Sequence, residues 1–245
     1  MIKSFIIIHI PHSSSKVPLI LKKQIKDKNT FIIEKKKLTD WYIDKLYKKC
    51  NTNKLIFKYT RFFCDVERFK DEKKEPMASK GMGVIYDTFS NKTKFLNPSA
   101  EYKEKVYKIY DKHHKKFDNL VCKILKKYNK CLIIDAHSFA EESVLTINGA
   151  INTPDICIGI DKDFEDKKIT KLVVNHFKKN NFSIMINYPY VGSIVPNKYY
   201  KLKDKRVKTI MIEINKRVYM NNGKIDKDRF IHLKTVITEL INIIK

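Results

Sequence analysis

Two histidines, one glutamate and two arginines are the residues whose types and positions best suit catalysis. His12 and His137 each come shortly after an apolar run, and Glu213 interrupts another. Neutral imidazole is the commonest protein ligand of a divalent metal ion, so the two histidines could share one ion. Glu213 would be a general base for metal-activated water, while Arg61 and Arg68 would polarise a carbonyl and clamp a carboxylate. This combination predicts metal-assisted hydrolysis.

Each of these residues also has a plain structural interpretation. A lone histidine after a strand is more often a hydrogen-bonded structural residue, and Glu213 by itself could be a salt-bridged core group. The combination is more specific than any of its members. For His9, His176 and His232 the pattern favours core or surface positions, and His113 and His114 on the long helix could face solvent.

Short apolar runs alternate with longer amphipathic stretches, which is typical of an α/β fold with a mostly parallel or mixed sheet. In such sheets the reactive residues lie just beyond the carboxyl ends of the strands. We predict strands at 4–10, 54–59, 131–136, 155–160, 182–187 and 209–214, and helices at 17–27, 38–50, 99–128, 168–180 and 226–244. Segment 70–98 lacks periodicity and is predicted to be a long functional or mobile loop. No linker interrupts the pattern, so we predict a single domain over residues 1–245.

The composition of this 245-residue chain excludes a disordered or collagen-like protein, because 43% of the residues are hydrophobic. No apolar run approaches the roughly 18 residues of a membrane span, and the first run is interpreted as a strand rather than a signal segment. Five cysteines without a Cys-x-x-Cys spacing argue against a disulfide framework or a thiolate zinc site. We therefore expect a soluble, cytoplasmic protein with no membrane partner.

The net charge of +24 would ordinarily suggest a nucleic-acid-binding protein. However, the basic residues are 46 lysines and only five arginines, spread along the whole chain. Arginine is the side chain suited to bidentate recognition of bases and phosphates, and no nucleic-acid-binding motif is present. A basic protein without catalysis is therefore the weaker hypothesis, and no specific nucleic-acid partner is predicted.

Seven short motifs in order resemble the N-formylglutamate amidohydrolase (formylglutamate deformylase) family. The resemblance spans nearly the whole chain, and the order of the motifs makes chance agreement improbable. The motifs are Pro11-His12-Ser13, Thr39-Asp40-Trp41-Tyr42-Ile43-Asp44, Arg61 with Asp65-Val66-Glu67-Arg68, Tyr110 with His114, Asp135-Ala136-His137-Ser138, Asn187-Tyr188-Pro189-Tyr190, and Ile212-Glu213-Ile214-Asn215.

The resemblance implies a single-domain, three-layer α/β fold of the phosphorylase/hydrolase type, related to zinc carboxypeptidases and aspartoacylases. It implies hydrolysis of the amide between a small acyl group and an amino acid, with N-formyl-L-glutamate as the prototype. His12 and His137 would be ligands of one divalent ion, expected to be Zn²⁺, and Glu213 the base that activates water.

The resemblance also implies residues that bind a small anionic substrate. By the more distant aspartoacylase pattern, Arg61 would polarise the scissile carbonyl and Arg68 would pair with the substrate carboxylate. Asn187 and His114 lie in matching motifs and are further candidates for substrate binding. A related hydrolase with a different acyl-amino-acid or peptide substrate is the alternative.

Two departures from the related patterns leave parts of this site open. Zinc carboxypeptidases have a glutamate three residues after the first histidine, where this chain has Ser15. Asp40 is the first candidate for the third metal ligand, with Asp65 and Asp44 as alternatives. The asparagine of the substrate-binding Asn-Arg pair is Glu67 here, which would repel an anionic substrate if it faces the pocket.

Overall fold

A computed structural model describes residues 2–141 and 152–245, and in it the chain divides into two compact units. The first, called the sheet unit, consists of Met1–Ile10, Asp40–Leu55 and Asp118–Lys245. The second, called the aromatic unit, consists of Pro11–Thr39 and Ile56–Phe117. A single domain over residues 1–245 remains a prediction.

The helices and strands alternate along the chain as the apolar runs predicted. The strands are β1 Ile6–Ile10, β2 Asn53–Ile56, β3 Cys131–Phe139, β4 Ile156–Gly159, β5 Ile184–Ile186, β6 Val207–Asn215, β7 Met220–Asn221 and β8 Lys224–Ile225. The α-helices are α1 Leu19–Lys22, α2 Lys28–Leu38, α3 Ile43–Leu46, α4 Ala100–Tyr128, α5 Lys167–Lys179, α6 Asn197–Leu202 and α7 Lys227–Ile244, with 3₁₀ turns at Tyr47–Lys49, Ala78–Lys80 and Lys216–Val218. Within the described ranges, no helix is both long and apolar enough to cross a membrane.

Six strands form one mixed sheet in the order β2-β1-β3-β6-β4-β5. The pairs β1–β3, β3–β6 and β4–β5 are parallel, whereas β4 and β6 are antiparallel. Side chains alternate between the two faces of a strand, and the apolar even-numbered residues of β1, β3, β4 and β6 pack together on one face. This face packs against α3, α5 and α7 through residues such as Leu46, Phe177 and Leu240. The titratable residues His9, Asp135, His137 and Glu213 are consequently on the odd-numbered face.

The core of the aromatic unit is built largely from rings. Phe62 contacts Phe31, Phe89 and Phe95 edge-on, and Phe89 stacks on Phe95 at a centroid distance of 4.3 Å. Edge-to-face and offset ring pairs add to the free energy gained by burial. Segment 70–98, which we predicted to be a functional or mobile loop, contributes buried Tyr86, Phe89 and Phe95 to this core. The segment shows no hydrophobic periodicity because its buried rings are not carried by an α-helix or a strand of the sheet.

The helix predictions near the amino terminus were wrong in detail. The predicted helix 17–27 shrinks to α1, and α2 follows it although no helix was predicted there. The side chain of Asp27 accepts a hydrogen bond from the backbone N–H of Thr30 at 3.0 Å, which starts α2 as an N-cap. The predicted helix 38–50 is the short α3 followed by a 3₁₀ turn. Strand β3 runs to Phe139, so His137 lies inside a strand rather than beyond its end.

Candidate functional site

The sheet unit gathers two histidines and two carboxylates on its odd-numbered face. The parallel register pairs His9 of β1 with Asp135 of β3, and His137 of β3 with Glu213 of β6. All four residues are buried, with at most 8% of their surface exposed. Charged groups so far from water require partners, since an uncompensated buried charge is costly. Strand register thus brings two of the predicted residues, His137 and Glu213, next to each other.

Asp135 holds the two histidines of this face. Its Oδ1 accepts a hydrogen bond from Nδ1 of His9 at 3.0 Å and lies 3.1 Å from Nε2 of His137. Its Oδ2 accepts the backbone N–H of Ile194 at 3.2 Å. His9, which we interpreted as a core or surface residue, is fully buried and paired with this carboxylate.

Asp40 contacts the other ring nitrogen of His137. Its Oδ2 accepts a hydrogen bond from Nδ1 of His137 at 3.0 Å, and Asp40 is only 3% exposed. Carboxylates that accept a hydrogen bond from one ring nitrogen are the usual orienting partners of metal-ligating histidines. The alternative Asp44 lies in α3 and is half-buried. Asp40, the first candidate from sequence for the third ligand, is therefore in direct contact with His137.

Glu213 is on β6, the strand between β3 and β4, and its side chain is on the same face of the sheet. The antiparallel register pairs it with Cys157 of β4, on the side opposite His137. Burial raises the pKa of the Cys157 thiol to about 11, and the charge of Glu213 contributes in the same direction. The neighbours of Glu213 on the two adjacent strands are therefore an imidazole and a thiol that stays protonated at neutral pH.

Asp65 is the centre of the polar cluster in the aromatic unit. Its Oδ1 accepts from Nε2 of His12 at 2.8 Å, and its Oδ2 accepts from Nη2 of Arg61 at 2.8 Å and from the Tyr86 hydroxyl at 2.9 Å. Nε of Arg68 lies 3.5 Å from Oδ2, which is the distance of an ion pair rather than a hydrogen bond. Burial alone would raise the pKa of Asp65, but His12, Arg61 and Arg68 together hold it well below its ordinary range. Asp65 is thus ionised and engaged on both oxygens, which disfavours it as the third metal ligand.

Arg61, predicted to polarise the scissile carbonyl, and Arg68, predicted to bind the substrate carboxylate, are both paired with acidic residues. Arg61 donates to Asp65 through Nε as well, at 3.2 Å. Nη1 of Arg68 lies 3.8 Å from a carboxylate oxygen of Glu75, in addition to its contact with Asp65. A substrate carboxylate would therefore compete with Asp65 and Glu75 for these cations.

His114 and Asn187, the other predicted substrate-binding residues, both contact main-chain groups. Nε2 of His114 donates to the carbonyl oxygen of Val66 at 2.9 Å, and its ring lies 4.2 Å from that of Tyr110. Asn187 adopts a φ of +55°, and its Oδ1 accepts the backbone N–H of Ile160 at 2.8 Å. These contacts give both residues a structural role, and their contact with substrate remains a prediction.

Glu67 was assigned only a repulsive effect from sequence, yet it lies beside a predicted metal ligand. Its Oε2 is 3.7 Å from Nδ1 of His12, and its backbone N–H donates to Oδ1 of Asp65 at 3.1 Å. The same Asp65 oxygen therefore holds both the His12 ring and the Glu67 backbone. The spacing Asp-x-Glu could have indicated the contact between Asp65 and the Glu67 backbone, because an aspartate side chain often accepts the N–H two residues later.

Two solved structures share the fold of this chain. The crystal structure of N-formylglutamate amidohydrolase from Ralstonia eutropha JMP134 superposes with a TM-score of 0.85 at 17% identity, covering 100% of this chain and 94% of the other. The gene product Atu2144 from Agrobacterium tumefaciens superposes with a TM-score of 0.69 at 14% identity, covering 98% and 90%. These matches confirm the predicted mixed α/β fold with a mostly parallel central sheet.

The family follows from the sequence itself. A family profile described as N-formylglutamate amidohydrolase matches residues 4–220. The chain belongs to the N-formylglutamate amidohydrolase family, as its motifs predicted. Among curated proteins, none matches the sequence significantly.

Proposed function

We propose that the chain is a metal-dependent amidohydrolase that cleaves N-acyl amino acids, with N-formyl-L-glutamate as the prototype substrate and formate and L-glutamate as products. The observation that carries this proposal is membership of an amidohydrolase family over residues 4–220. The side-by-side position of His137 and Glu213 on a buried sheet face supports it.

His12 and His137 both have the chemical surroundings of histidines that bind a divalent ion. His137 has Asp40 on its Nδ1, and His12 has Asp65 on its Nε2. A carboxylate on one ring nitrogen fixes the tautomer and orientation of a ligand histidine. We propose His12 and His137 as ligands of one ion, with Zn²⁺ as the expected metal because it favours imidazole and carboxylate donors. Asp40 is retained as the candidate that completes or orients this set.

Each step of the proposed hydrolysis is assigned to a side chain of this protein. When bound, a divalent ion supplies Lewis acidity and lowers the pKa of water toward neutrality. Glu213 takes the proton of the attacking water and returns it to the departing amine, as a general base and then a general acid. Arg61 donates hydrogen bonds to the charge that develops on the carbonyl oxygen. Arg68, His114 and Asn187 bind the small anionic substrate.

A related hydrolase with another substrate is the second candidate. Arg68 already faces Asp65 and Glu75, and Glu67 adds a further negative charge beside His12. This surplus of carboxylates favours a less acidic acyl-amino-acid or peptide than N-formyl-L-glutamate. The reaction class would be unchanged.

Release of formate and glutamate from N-formyl-L-glutamate by the purified protein tests the proposal. The assay is run with added Zn²⁺ and, in parallel, with a chelator. We expect turnover that requires the metal and that disappears in Glu213→Gln. Turnover that persists with chelator contradicts the metal dependence.

A panel of N-acyl amino acids separates the two candidate functions. Metal-dependent turnover of other acyl amino acids, with none of N-formyl-L-glutamate, would favour the second candidate. Absence of turnover on every member, by protein shown to contain metal, would contradict both candidates.

A further inference from the structure

We infer that Glu67 is a ligand of the divalent ion, beside His12. The inference rests on the proposed function, because it identifies a ligand of the metal proposed there. It concerns two residues of the aromatic unit whose donor atoms, Oε2 of Glu67 and Nδ1 of His12, lie 3.7 Å apart.

The distance between the two atoms is longer than a hydrogen bond and close to the distance between two ligands of one ion. At 3.7 Å they are too far apart for a hydrogen bond. Two ligands of a tetrahedral ion with bonds of about 2.1 Å lie roughly 3.4 Å apart, so a small movement places both on one ion.

The roles of the two ring nitrogens of His12 support the same arrangement. Nε2 of His12 lies 2.8 Å from Oδ1 of Asp65, and in this hydrogen bond the ring nitrogen donates and the carboxylate oxygen accepts. In a neutral imidazole the lone pair is then on Nδ1, which is the atom nearest Glu67. The donor atom of His12 and the carboxylate oxygen of Glu67 therefore face each other.

The position of Glu67 in the loop is fixed by the same group that fixes His12. Oδ1 of Asp65 accepts both from the His12 ring and from the Glu67 backbone N–H. The Glu67 side chain is 17% exposed and that of His12 is 2% exposed, so solvent reaches the carboxylate but hardly the imidazole. A ligand pair held in this way is preorganised before the ion arrives.

Metal ligation also resolves the electrostatic objection to Glu67. An unliganded carboxylate at this position repels an anionic substrate, whereas a carboxylate bound to a dication does not. With Glu67 as ligand, Asp40 becomes the partner that orients His137 rather than a ligand itself, consistent with its hydrogen bond to Nδ1.

Zn²⁺ titration of the metal-free full-length chain, in competition with a chromophoric chelator, tests the inference. The variants are Glu67→Gln and the matched control Glu72→Gln, which removes the same charge from an exposed residue in the neighbouring segment. Loss of an orienting partner costs about 10–100-fold in metal affinity, so loss of a ligand is expected to cost about 100-fold or more. Glu72→Gln is expected to keep the wild-type affinity. Equal affinities of the two variants would overturn the assignment.

If Glu67→Gln does not fold, the Co²⁺ spectra of Glu67→His and of wild type test the same ligand. Glu67→His keeps a donor atom, so it should bind Co²⁺ with a visible spectrum shifted from that of wild type. An unshifted spectrum would mean that residue 67 is not a ligand.

The outcomes also separate this inference from the proposed substrate. Reduced Zn²⁺ affinity in Glu67→Gln, together with no turnover of N-formyl-L-glutamate by wild type, would keep the ligand and reject the substrate. A wild-type chain that binds Zn²⁺ no more tightly than Glu67→Gln would overturn the ligand assignment.

Discussion

The two polar clusters of this protein are positioned by different means. In the sheet unit, His137 and Glu213 are neighbours because the register of β3 and β6 places them there. In the aromatic unit, His12, Arg61 and Glu67 come from segments with little regular structure and converge on Asp65. Backbone hydrogen bonds of a sheet fix one cluster, whereas one buried carboxylate organises the other.

This difference predicts where a single substitution does damage. Each strand residue of the sheet unit is held by main-chain bonds that do not depend on its side chain. Removing Glu213 should therefore change chemistry and leave the fold. Removing the Asp65 charge should disturb the fold, because the cations and hydrogen-bond donors around it lose their common acceptor.

Glu213→Gln is expected to give the largest effect, on catalysis alone. Loss of a general base reduces kcat by about 10²–10⁴-fold, while the thermal unfolding midpoint stays close to that of wild type. Formate release with added Zn²⁺, together with circular dichroism, measures both quantities. Glu239→Gln, the same change at an exposed position of α7, is the control and should retain full turnover. A normal kcat in Glu213→Gln would eliminate this residue as the base.

Asp65→Asn is expected to lower stability more than Glu213→Gln or Asp40→Asn does. It leaves Arg61 and Arg68 without their shared carboxylate in a buried site, which costs about 3–5 kcal/mol in the free energy of unfolding. Denaturant titration measures this loss. Asp111→Asn breaks the exposed pair with Lys70 and should cost less than about 1 kcal/mol. Similar losses in Asp65→Asn and Asp111→Asn would contradict the central role of Asp65.

Asp40→Asn is expected to have an intermediate effect, on metal affinity. The amide is a weaker acceptor than the carboxylate for Nδ1 of His137, so affinity for Zn²⁺ should fall about 10–100-fold. Asp44→Asn, four residues along the chain, should bind Zn²⁺ as wild type does. A larger loss in Asp44→Asn than in Asp40→Asn would reverse the order of these two candidates.

The sequence was sufficient for the main strands and the long helices of the sheet unit but not for its shorter elements or for all of its contacts. Apolar runs located all six strands of the main sheet, most clearly β1, β3, β4 and β6, because strands buried on both faces are nearly continuously hydrophobic. They could not show that β6 lies beside β3, which is what makes Glu213 a neighbour of His137. The hydrogen bond between Asp40 and His137 joins residues 97 positions apart and has no local signature.

Less of the aromatic unit was predictable. The motif of Arg61 with Asp65-Val66-Glu67-Arg68 was recognised, but the sequence did not show that both arginines contact Asp65. Local rules describe helices, strands and turns, whereas this cluster depends on which side chains meet after ring packing has brought distant loops together. The same reason applies to Glu67: its charge was visible in the sequence, but its proximity to His12 was not.

The smallest expected effect is a difference in alkylation rate between one buried cysteine of each unit. Burial raises the thiol pKa of Cys64 in the aromatic unit well above its ordinary range and that of Cys157 in the sheet unit to about 11, so both stay protonated at pH 8. Alkylation then requires local opening, and loops held by one carboxylate should open at lower free energy than central strands. In mild denaturant at pH 8, followed by mass spectrometry, Cys64 should therefore react before Cys157, and the half-buried Cys122 before either. Equal rates for Cys64 and Cys157 would mean that both units open in one cooperative step.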